Sequence, residues 1–486
     1  MTWLVVMVFG FLVTRWAPRM AELELPYLHV DSNLTHAVTP DDVTIRRMHA
    51  PAGDVTIRRI HAPAGHGRFS RDIGESHRTR VSSVEKKRAQ TTVRSPETIP
   101  WDLGMLARAP EFEWVDAAGP IRSVLYEGEP YRGRPTRVFA YYATPGSLTG
   151  DRSQDNDLPA VVLLHGGGGT AFRDWVELWA KRGYAAIAMD LAGNRPIEGT
   201  DAYQRKNRRR LNDGGPGQGR DTKFECISKP VTEQWTYHAV SAAMRANSLM
   251  RSFPEVNAGR IAVTGVSWGG YLTSILAGID SRFRAAVPVY GCGFLNENSK
   301  WLNQFAKMTT DERARWVTLW DPSQYLPAVS MPILFINGTN DRWYPLDSSM
   351  KSFDVVPCVK QVRITVNTPH DHPGPQEVGL FIDQHLLGKS ALPAISDPRI
   401  EHGQIRANFT SAEKLNAAAL YLTCDCGPIN QRTWQMLSAT IEGDTVVAKA
   451  PPIDATAWFI GIRDERQSIV STRVTIRTES ASMSGR

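Results

Sequence analysis

Between Pro159 and Gly388, short apolar runs alternate with longer stretches of helical periodicity. The apolar runs are PAVVLLHG, YAAIAMD, RIAVTG, RAAVPVYG, PILFING and QVRITV. The stretches between or after them include TAFRDWVELWAKRG, TEQWTYHAVSAAMRANSLMRSF, WGGYLTSILAGI and VGLFIDQHLLG. Uniformly apolar strands that alternate with helices are typical of a parallel sheet covered on both faces. The sequence therefore predicts an α/β fold with a mostly parallel, doubly wound sheet.

The flanks of this core are rich in β-type residues. Upstream, IRSVLYEG and TRVFAYYATP predict an antiparallel pair at the edge of the sheet, and order is expected from near Trp101. We assign residues 96–389 to this domain. Downstream, ALPAISDP is interpreted as a linker, and NAAALYLTC, WQMLSATIEG, TVVAKAP, TAWFIGIRD and STRVTIRT as short strands. Residues 390–486 are therefore predicted to form a small β-sandwich-like domain.

Residues 1–21 have features of a signal peptide. MTWLVVMVFGFLV contains an apolar run of about ten residues, whereas a span of the bilayer needs roughly 20. Such a run suits the central region of a signal peptide, although Arg15 and Arg19 follow it and no Lys or Arg precedes it. We expect a secreted or periplasmic protein without stable membrane insertion. An uncleaved anchor, a start codon placed too far upstream and a cytoplasmic location are the alternatives.

Residues 22–95 form a basic, low-complexity extension. Residues 42–53 and 54–65 match at eleven of twelve positions, but two copies are too few for a solenoid. The stretch that follows is poor in large apolar residues, so we expect disorder. Residues 41–95 hold 12 Lys or Arg and 6 Asp or Glu, which accounts for the whole net charge of +6. The rest of the chain is formally neutral, which argues against a nucleic-acid partner.

The stretch GVSWGG, residues 265–270, fits the pattern G-x-S-x-G. A chain with 38 glycines in 486 residues contains this pattern by chance about 0.2 times, so its context decides. RIAVT predicts a strand that leads into the motif, and YLTSILAGI predicts a helix after it. A sharp strand-to-helix turn is typical of a nucleophile elbow. We predict Ser267 as the nucleophile and the Trp268 amide as an oxyanion donor; a Gly/Ser turn that caps a helix is the alternative.

A second glycine-rich stretch, LLHGGGGT at residues 163–170, follows an earlier strand. It resembles the HGGG loops that supply the other oxyanion amide, here from Gly167 or its neighbours at 166–168. No G-K-[ST] follows, which argues against a phosphate-binding loop. His165 is predicted to orient this loop beside the substrate rather than act as a base. GGPGQG at 214–219 lacks a preceding strand and is interpreted as a flexible loop near the site.

The acid and base must follow Ser267 in the order of this hydrolase type. Asp341 stands just past the strand PILFING, where catalytic groups of open α/β sheets gather, whereas a helix would carry Asp347 and Asp354 away. His370 and His372 lie in the loop NTPHDHPGP after the strand QVRITV. His385 and His402 fall in a helix and in the linker. We predict Asp341 as acid and His370 as base, with His372 as the alternative base or a substrate contact.

These motifs resemble the α/β-hydrolase superfamily over roughly residues 120 to 390. Within it, the chain is similar to acetylxylan-esterase-like and prolyl-oligopeptidase-like (dienelactone-hydrolase-type) serine hydrolases. WDPSQYLPAVSMPILFINGTNDRWYPLDSS, followed by NTPH, is also similar to PhoPQ-activated pathogenicity-related proteins, which carry a β-rich tail. The resemblance implies a triad of Ser267, Asp341 and His370. It does not fix a substrate.

We therefore predict a serine hydrolase that cleaves small-molecule or carbohydrate esters, most of all of the acetyl xylan type, through an acyl-enzyme. Trp343, Tyr344 and the loop 213–222 are expected to shape the pocket, with His165 and His372 as further contacts. No metal or cofactor is expected. A peptidase of the prolyl-oligopeptidase type is the first alternative. It is disfavoured because the predicted ordered residues before the hydrolase core leave no room for an N-terminal propeller. A non-catalytic binding protein on a hydrolase scaffold is the second.

The cysteines point to neither disulfides nor metal. Cys226, Cys292, Cys358, Cys424 and Cys426 are odd in number and scattered, which does not fit a disulfide framework. Cys424 and Cys426 form C-x-C without a neighbouring Cys or His pair, so a zinc site is not expected. The oligomeric state is not predicted.

Overall fold

The computed structural model describes residues 99–370 and 375–477. The predicted signal peptide and the basic extension lie outside the described residues, as does His372, and all three stay predictions. The strands before residue 390 are β1 (Phe112–Asp116), β2 (Arg122–Tyr131), β3 (Arg134–Ala143), β4 (Leu158–Leu164), β5 (Ala185–Met189), β6 (Asn194–Pro196), β7 (Arg208–Arg210), β8 (Val256–Val266), β9 (Ala285–Val289), β10 (Ile333–Gly338) and β11 (Lys360–Thr365).

The helices and the remaining strands follow the same chain order. The helices are α1 (Leu103–Leu106), α2 (Pro145–Thr149), α3 (Arg173–Lys181), α4 (Arg220–Lys223), α5 (Trp235–Ser252), α6 (Trp268–Ile279), α7 (Leu302–Phe305), α8 (Thr310–Trp320), α9 (Leu346–Val355) and α10 (Glu377–Leu387). The later strands are β12 (Ala394–Ile395), β13 (Arg399–Glu401), β14 (Gln404–Thr410), β15 (Leu415–Thr423), β16 (Gln435–Ser438), β17 (Thr440–Glu442), β18 (Thr445–Lys449), β19 (Ala457–Asp464), β20 (Ile469–Ser471) and β21 (Thr475–Ile476).

A mostly parallel sheet forms the centre of the molecule, which has the predicted α/β-hydrolase fold. Strands β5, β4, β8, β9, β10 and β11 run parallel in that spatial order, and β3 joins β5 antiparallel. β2 and β3 are the predicted antiparallel pair, with β1 outside them. Every residue of β5, β9 and β10 is buried, as expected for strands covered on both faces.

The chain reverses its direction of travel across the sheet at one point. It forms β4, then β5 on one side of it, then crosses back to place β8 on the other side. Open α/β sheets bind ligands at the carboxyl ends of the strands beside such a reversal. The two predicted glycine-rich motifs directly follow β4 and β8. The topology therefore brings both motifs to this edge.

Helices α3, α5, α6 and α10 pack against the sheet. α5 packs on α6, and nearly all of α5 is buried. α3 and α10 are joined through Asp383, which accepts a 2.9 Å hydrogen bond from Arg182 and a 2.6 Å bond from the Tyr184 hydroxyl. The buried Asp383 carboxylate is thus paired, as expected for a charged group inside the fold.

The C-terminal strands were predicted to form a separate sandwich, and the β-rich region is present. Within the described residues, one 14-stranded sheet continues from β11 through β20, β19, β15 and β16. The junction is an antiparallel pairing of Val362 with Ser471. β12, β14, β18 and β17 form a second sheet, with β13 beside β14. The sheet thus crosses the proposed boundary at residue 389, and the domain bounds themselves stay a prediction.

The five cysteines are free thiols, in agreement with the absence of a predicted disulfide framework. Cys226 and Cys292 are buried, Cys358 and Cys424 are partly buried, and Cys426 is exposed. Within residues 99–370 and 375–477, no helix combines the length and the apolar character needed to cross a membrane.

Candidate active site

Ser267 forms a one-residue turn between β8 and α6. Its backbone φ is 61°, in the left-handed region that residues with a side chain rarely adopt. The Ser267 N–H donates to the Val289 carbonyl at 2.8 Å, and the Ser267 carbonyl accepts from the Tyr271 N–H at 2.9 Å. A strained residue between a strand and a helix is the geometry that a nucleophile elbow needs. The predicted elbow is therefore present as a backbone conformation.

Close packing around this turn requires glycine. A Cβ on Gly269 would overlap the backbone carbonyl of Leu164, the last residue of β4. A Cβ on Gly167 would lie only 2.8 Å from Cδ1 of Trp268. Because glycine lacks this atom, the loop after β4 and the start of α6 can approach each other. The two glycine-rich motifs of the sequence therefore meet in space.

His370 lies between Ser267 and Asp341. Its Nε2 is 2.9 Å from Ser267 Oγ, and its Nδ1 is 2.8 Å from Asp341 Oδ2. If Nδ1 carries the proton that the carboxylate accepts, Nε2 is left to accept from the Ser267 hydroxyl. The three predicted residues thus form one continuous hydrogen-bonded chain.

Asp341 is fixed from several directions. It is fully buried, and its Oδ1 accepts the Trp343 N–H at 2.7 Å and the Tyr344 N–H at 3.0 Å. These two bonds leave Oδ2 directed at His370. Asp347, which the sequence predicted to lie away from the site, accepts hydrogen bonds from Asn298 at 2.9 Å and 3.0 Å.

The predicted oxyanion amides lie beside Ser267. Within the described part of the chain, the N–H groups of Gly167 and Trp268 donate no hydrogen bond, which leaves them available to an oxyanion. The Gly168 N–H is occupied, because it donates to Oε1 of Gln218 at 2.9 Å. Of the amides at 166–168 predicted as oxyanion donors, that of Gly168 is therefore already occupied. Gln218 itself belongs to GGPGQG, so that stretch does reach the site, although nothing in the sequence singled out its glutamine.

The predicted substrate contact at His165 is corrected by its placement. His165 is 1% exposed, so no substrate can reach it. Its Nε2 accepts the Leu191 N–H at 2.8 Å, which leaves Nδ1 to donate to the Gly166 carbonyl at 2.8 Å. Burial lowers the pKa of His165, so the neutral ring that this pairing needs is favoured. His165 instead holds the shape of the glycine loop, the orienting role that the sequence also suggested.

Aromatic rings surround the serine and histidine. Tyr344 stacks on His370 with ring centroids 5.8 Å apart, and Trp343 lies 6.2 Å from the same ring. Trp301, which the sequence did not single out, lies 4.6 Å from Trp268 and 5.6 Å from Trp343. Tyr344 is fully buried, whereas Trp343 is partly exposed. Trp343 is therefore the predicted pocket residue that is open to solvent, and Tyr344 supports the rings from behind.

Two cations, also absent from the sequence prediction, lie beside the oxyanion segments. Lys223 Nζ is 4.3 Å from the centre of the Trp268 ring, and the Arg205 guanidinium lies against Gly168. Burial, with a smaller contribution from Arg205, lowers the pKa of Lys223 to about 8. No carboxylate of the described residues pairs with either side chain. These two side chains therefore place positive charge beside the glycine loop and the start of α6.

Residues 99–370 and 375–477 hold no group of three or more His, Cys, Asp or Glu side chains arranged as metal ligands.

The Dienelactone hydrolase family matches residues 146–366 of this chain. The matched part contains Ser267 and Asp341 and ends just before His370. It lies inside the range over which the sequence motifs resemble α/β-hydrolases, and it confirms the resemblance to the dienelactone-hydrolase type. The similarity to PhoPQ-activated pathogenicity-related proteins stays a prediction.

Curated relatives match less than half of this chain. Acetyl esterase Axe7A of Xylanibacter ruminicola is 23% identical over 229 residues, which are 44% of this chain and 49% of that protein. Uncharacterized peptidase YuxL of Bacillus subtilis is 22% identical over 234 residues, which are 44% of this chain and 30% of that protein. The chain therefore spans about half of the length of the first relative and less of the second.

Among solved structures, the acetyl xylan esterase of a Paenibacillus species, strain R4, is similar to this chain with a TM-score of 0.47 at 20% identity. The likeness covers 58% of this chain and 92% of that one.

Proposed function

We propose that this α/β-hydrolase cleaves carboxylic esters by nucleophilic catalysis from Ser267. The observation that carries the proposal is the hydrogen-bonded chain from Ser267 through His370 to Asp341, with both links below 3.0 Å. A serine hydroxyl is a weak nucleophile until a base removes its proton as it attacks. His370 is within reach of that proton, and Asp341 holds the imidazole in the tautomer that accepts it.

The reaction follows from these positions. Ser267 Oγ attacks the ester carbonyl, and its proton passes to Nε2 of His370. The carbonyl oxygen becomes an oxyanion that accepts from the amides of Gly167 and Trp268, each worth roughly 10²–10³ in rate. His370 then protonates the leaving alcohol. A water molecule that gives a proton to His370 then attacks the acyl-enzyme. As the bond to Ser267 Oγ breaks and the acid leaves, His370 returns that proton to Ser267 Oγ.

The surrounding charge supports this sequence of steps. Negative charge develops at the carbonyl oxygen, next to the glycine loop and the first turn of α6. Lys223 and Arg205 lie against those two segments without a carboxylate to neutralise them. A fixed positive potential lowers the energy of the charged intermediate more than that of the neutral ester. The cations therefore favour chemistry that passes through an oxyanion.

The substrate class is proposed from the relatives and the pocket. One relative bears the name acetyl esterase, which supports a small acyl group. Partly exposed Trp343 beside His370 offers a flat apolar surface of the kind that stacks on a sugar ring. We therefore favour acetylated carbohydrate, of the acetyl xylan type, over simple lipid-like esters. The other relative bears the name peptidase, so amide cleavage is the competing function.

One panel of substrates separates these functions. Hydrolysis of p-nitrophenyl acetate, longer p-nitrophenyl esters, acetylated xylan and aminoacyl p-nitroanilides is measured with the wild type and with Ser267→Ala. The proposal predicts cleavage of the acetyl substrates, slower cleavage as the acyl chain lengthens, and a loss of at least about 10⁴-fold in Ser267→Ala. Cleavage of the nitroanilides alone would establish a peptidase instead. Full activity in Ser267→Ala would refute the site.

A further inference from the structure

The loops that carry Asp341 and His370 both touch one short segment of the C-terminal region. Asp341 follows β10, and His370 follows β11, its parallel neighbour. The segment is 430–434, which begins within a 3₁₀ turn at Ile429–Gln431 and ends just before strand β16. Hydrogen bonds reach it from one asparagine in each loop. Both asparagines lie close in sequence to the residue that their loop presents.

Asn340 immediately precedes Asp341 and makes the first of these connections. Its Nδ2 donates to the Arg432 carbonyl at 2.9 Å and to the Asn430 carbonyl at 3.2 Å. Its own backbone N–H donates to the Thr368 carbonyl at 3.0 Å, in the loop that carries His370. One residue therefore ties the acid loop to the C-terminal segment and to the base loop at once.

Asn367 stands three residues before His370 and makes the second connection. Its Nδ2 donates to the Trp434 carbonyl at 3.1 Å, and its Oδ1 accepts the Trp434 N–H at 3.0 Å. The Asn367 amide thus donates to and accepts from the backbone of Trp434, in the two-bond pattern by which paired β-strands exchange hydrogen bonds. Asn367 also has a φ of 50°, a conformation that asparagine tolerates better than most residues. Its backbone N–H donates to Thr339 Oγ1 at 2.8 Å, which again joins the two loops.

The 430–434 segment is itself anchored in the C-terminal region. Arg432 donates to the Gly427 carbonyl at 2.8 Å and to Thr456 Oγ1 at 3.1 Å. Trp434 is 3% exposed, and its ring packs on Phe459 of β19. A segment held at these points has few conformations to lose when the loops bind to it. It can therefore act as a fixed support.

The far end of the His370 loop is held by the same region. Gln376 Nε2 donates to the Arg466 carbonyl at 2.7 Å, and Glu377 accepts the Ile469 N–H at 2.7 Å. Residues on both sides of His370 in the chain are thus bonded to residues after 390. No comparable bond joins the Ser267 turn to residues after 390 within the described structure.

From these contacts we infer that Asn340 and Asn367 are positioning residues and that the C-terminal region is part of the catalytic assembly. The inference rests on the proposed function, since it concerns how Asp341 and His370 are held for the attack by Ser267. The two amides fix the acid and base loops against one support and against each other. Small displacements of a base from its nucleophile are costly, with about 10²-fold lost for a shift of about 1 Å.

The test compares variants that remove a side-chain amide bond to the C-terminal region, either beside the catalytic loops or at the opposite end of β11. Asn340→Ala and Asn367→Gly remove the connections to the loops, and glycine keeps the positive φ of position 367. Gln361→Ala is the matched control, because Gln361 Nε2 also donates to a C-terminal carbonyl, that of Pro393 at 2.8 Å. Gln361 lies near the start of β11, at the opposite end from His370. Arg432→Ala loosens the segment itself without touching either loop.

Two readouts separate positioning from general stability. The first is the rate of labelling of Ser267 by a fluorophosphonate probe, and the second is kcat and KM for p-nitrophenyl acetate, each measured below the melting temperature of every variant. We expect each asparagine variant to lower the labelling rate and kcat at least about tenfold, with KM changed less than about twofold. Arg432→Ala is expected to lower kcat about threefold, and Gln361→Ala to match the wild type.

The outcomes distinguish this inference from the proposed function. If Ser267→Ala is labelled as fast as the wild type, the proposed function fails. If labelling depends on Ser267 but the asparagine variants behave like Gln361→Ala, the proposed function stands and the positioning inference is wrong. Equal losses in all variants, including Gln361→Ala, would also overturn it, since stability alone would explain them. Should the asparagine variants not fold, Arg432→Ala decides between the same results.

Discussion

The turn that carries Ser267 and the loops that carry Asp341 and His370 are built in different ways. The Ser267 turn is held by its own strand and helix, by β9 and by the tight approach of the loop after β4. The acid and base loops depend on residues 430–434, more distant in sequence, and on bonds to each other. A nucleophile can thus be fixed by local packing, whereas its partners need support from another part of the chain.

The largest effect is expected at Asp341, in the acid loop that depends on distant residues. Asp341→Asn keeps the size of the side chain but presents an amide to Nδ1 of His370, which favours the wrong tautomer. We expect kcat to fall about 10⁴-fold with the fold intact. The measurement is p-nitrophenyl acetate turnover with circular dichroism on the same samples.

Asp347→Asn serves as the control for this change. Asp347 is the nearby carboxylate that the sequence predicted a helix would carry away from the site, and it accepts from Asn298 rather than contacting His370. It should keep kcat within about threefold of the wild type. A larger loss from Asp347→Asn than from Asp341→Asn would reverse the assignment of the acid.

The local packing that holds the Ser267 turn is disrupted most directly by a substitution at Gly269. In Gly269→Val, the new side chain meets the Leu164 and His165 carbonyls, so the helix must move away from β4. Overpacking of this kind costs about 3 kcal/mol, and we expect kcat to fall about 10²-fold as well. Thermal unfolding and turnover are measured together.

Gly104→Ala is a fair comparison, because a Cβ at that position meets only ordinary van der Waals contact. It should leave the melting temperature and kcat close to those of the wild type. If Gly269→Val is as stable and as active as Gly104→Ala, local packing does not hold the Ser267 turn.

A smaller effect is expected from His165. His165→Ala leaves the Leu191 N–H and the Gly166 carbonyl without their partner, so the glycine loop loosens. A buried unpaired polar group costs about 1–3 kcal/mol, and kcat should fall by about tenfold through the Gly167 amide. His165→Gln, which can supply both a donor and an acceptor, is expected to recover part of the loss. A KM effect without a change in kcat would instead indicate a substrate contact.

The smallest effect concerns Lys223 and the pH. Its pKa is lowered to about 8 from 10.5, so between those values the unfolded chain binds more protons than the folded one. Stability from this group therefore rises as the pH increases from about 8 to about 10.5 and is lowest below pH 8. Lys223→Met should stabilise the protein by about 1–2 kcal/mol at neutral pH, after allowance for partial exposure.

Denaturant unfolding of the wild type and Lys223→Met at pH 7 and at high pH checks this effect, because the difference between them should shrink as pH rises. Lys307→Met, at an exposed position before α8, controls for the loss of one charge. A wild-type advantage at neutral pH would contradict the depressed pKa of Lys223.

The contrast between the two regions also explains what could be predicted from the sequence. G-x-S-x-G, HGGG and the positions of Asp341 and His370 are local signals, and the strands and helices that place them have strong apolar periodicity. The contacts of Asn340 and Asn367 carry no such signal. Their partners are backbone atoms, which every residue possesses, so nothing in the letters of residues 430–434 marks them as a support.

Other differences have the same kind of cause. Helix α8 was not predicted because its apolar residues do not form a clear face, although Thr309 and Glu312 form a capping box that signals its start. His165 was expected near the substrate because its motif lies there, but its depth below the loop depends on Leu191, which belongs to another strand connection. The continuity of the sheet from β11 to β20 rests on a single pairing that no local pattern encodes.

The central claim is that Ser267 becomes acylated during turnover. The direct measurement is mass spectrometry of the protein quenched with acid while it turns over p-nitrophenyl acetate, followed by digestion. We predict one acetyl group on the peptide that contains Ser267. It should be present in the wild type and absent from Ser267→Ala, which also loses turnover. Turnover without any acetylated peptide, or an acetyl group on a residue other than Ser267 that persists with activity in Ser267→Ala, would contradict it.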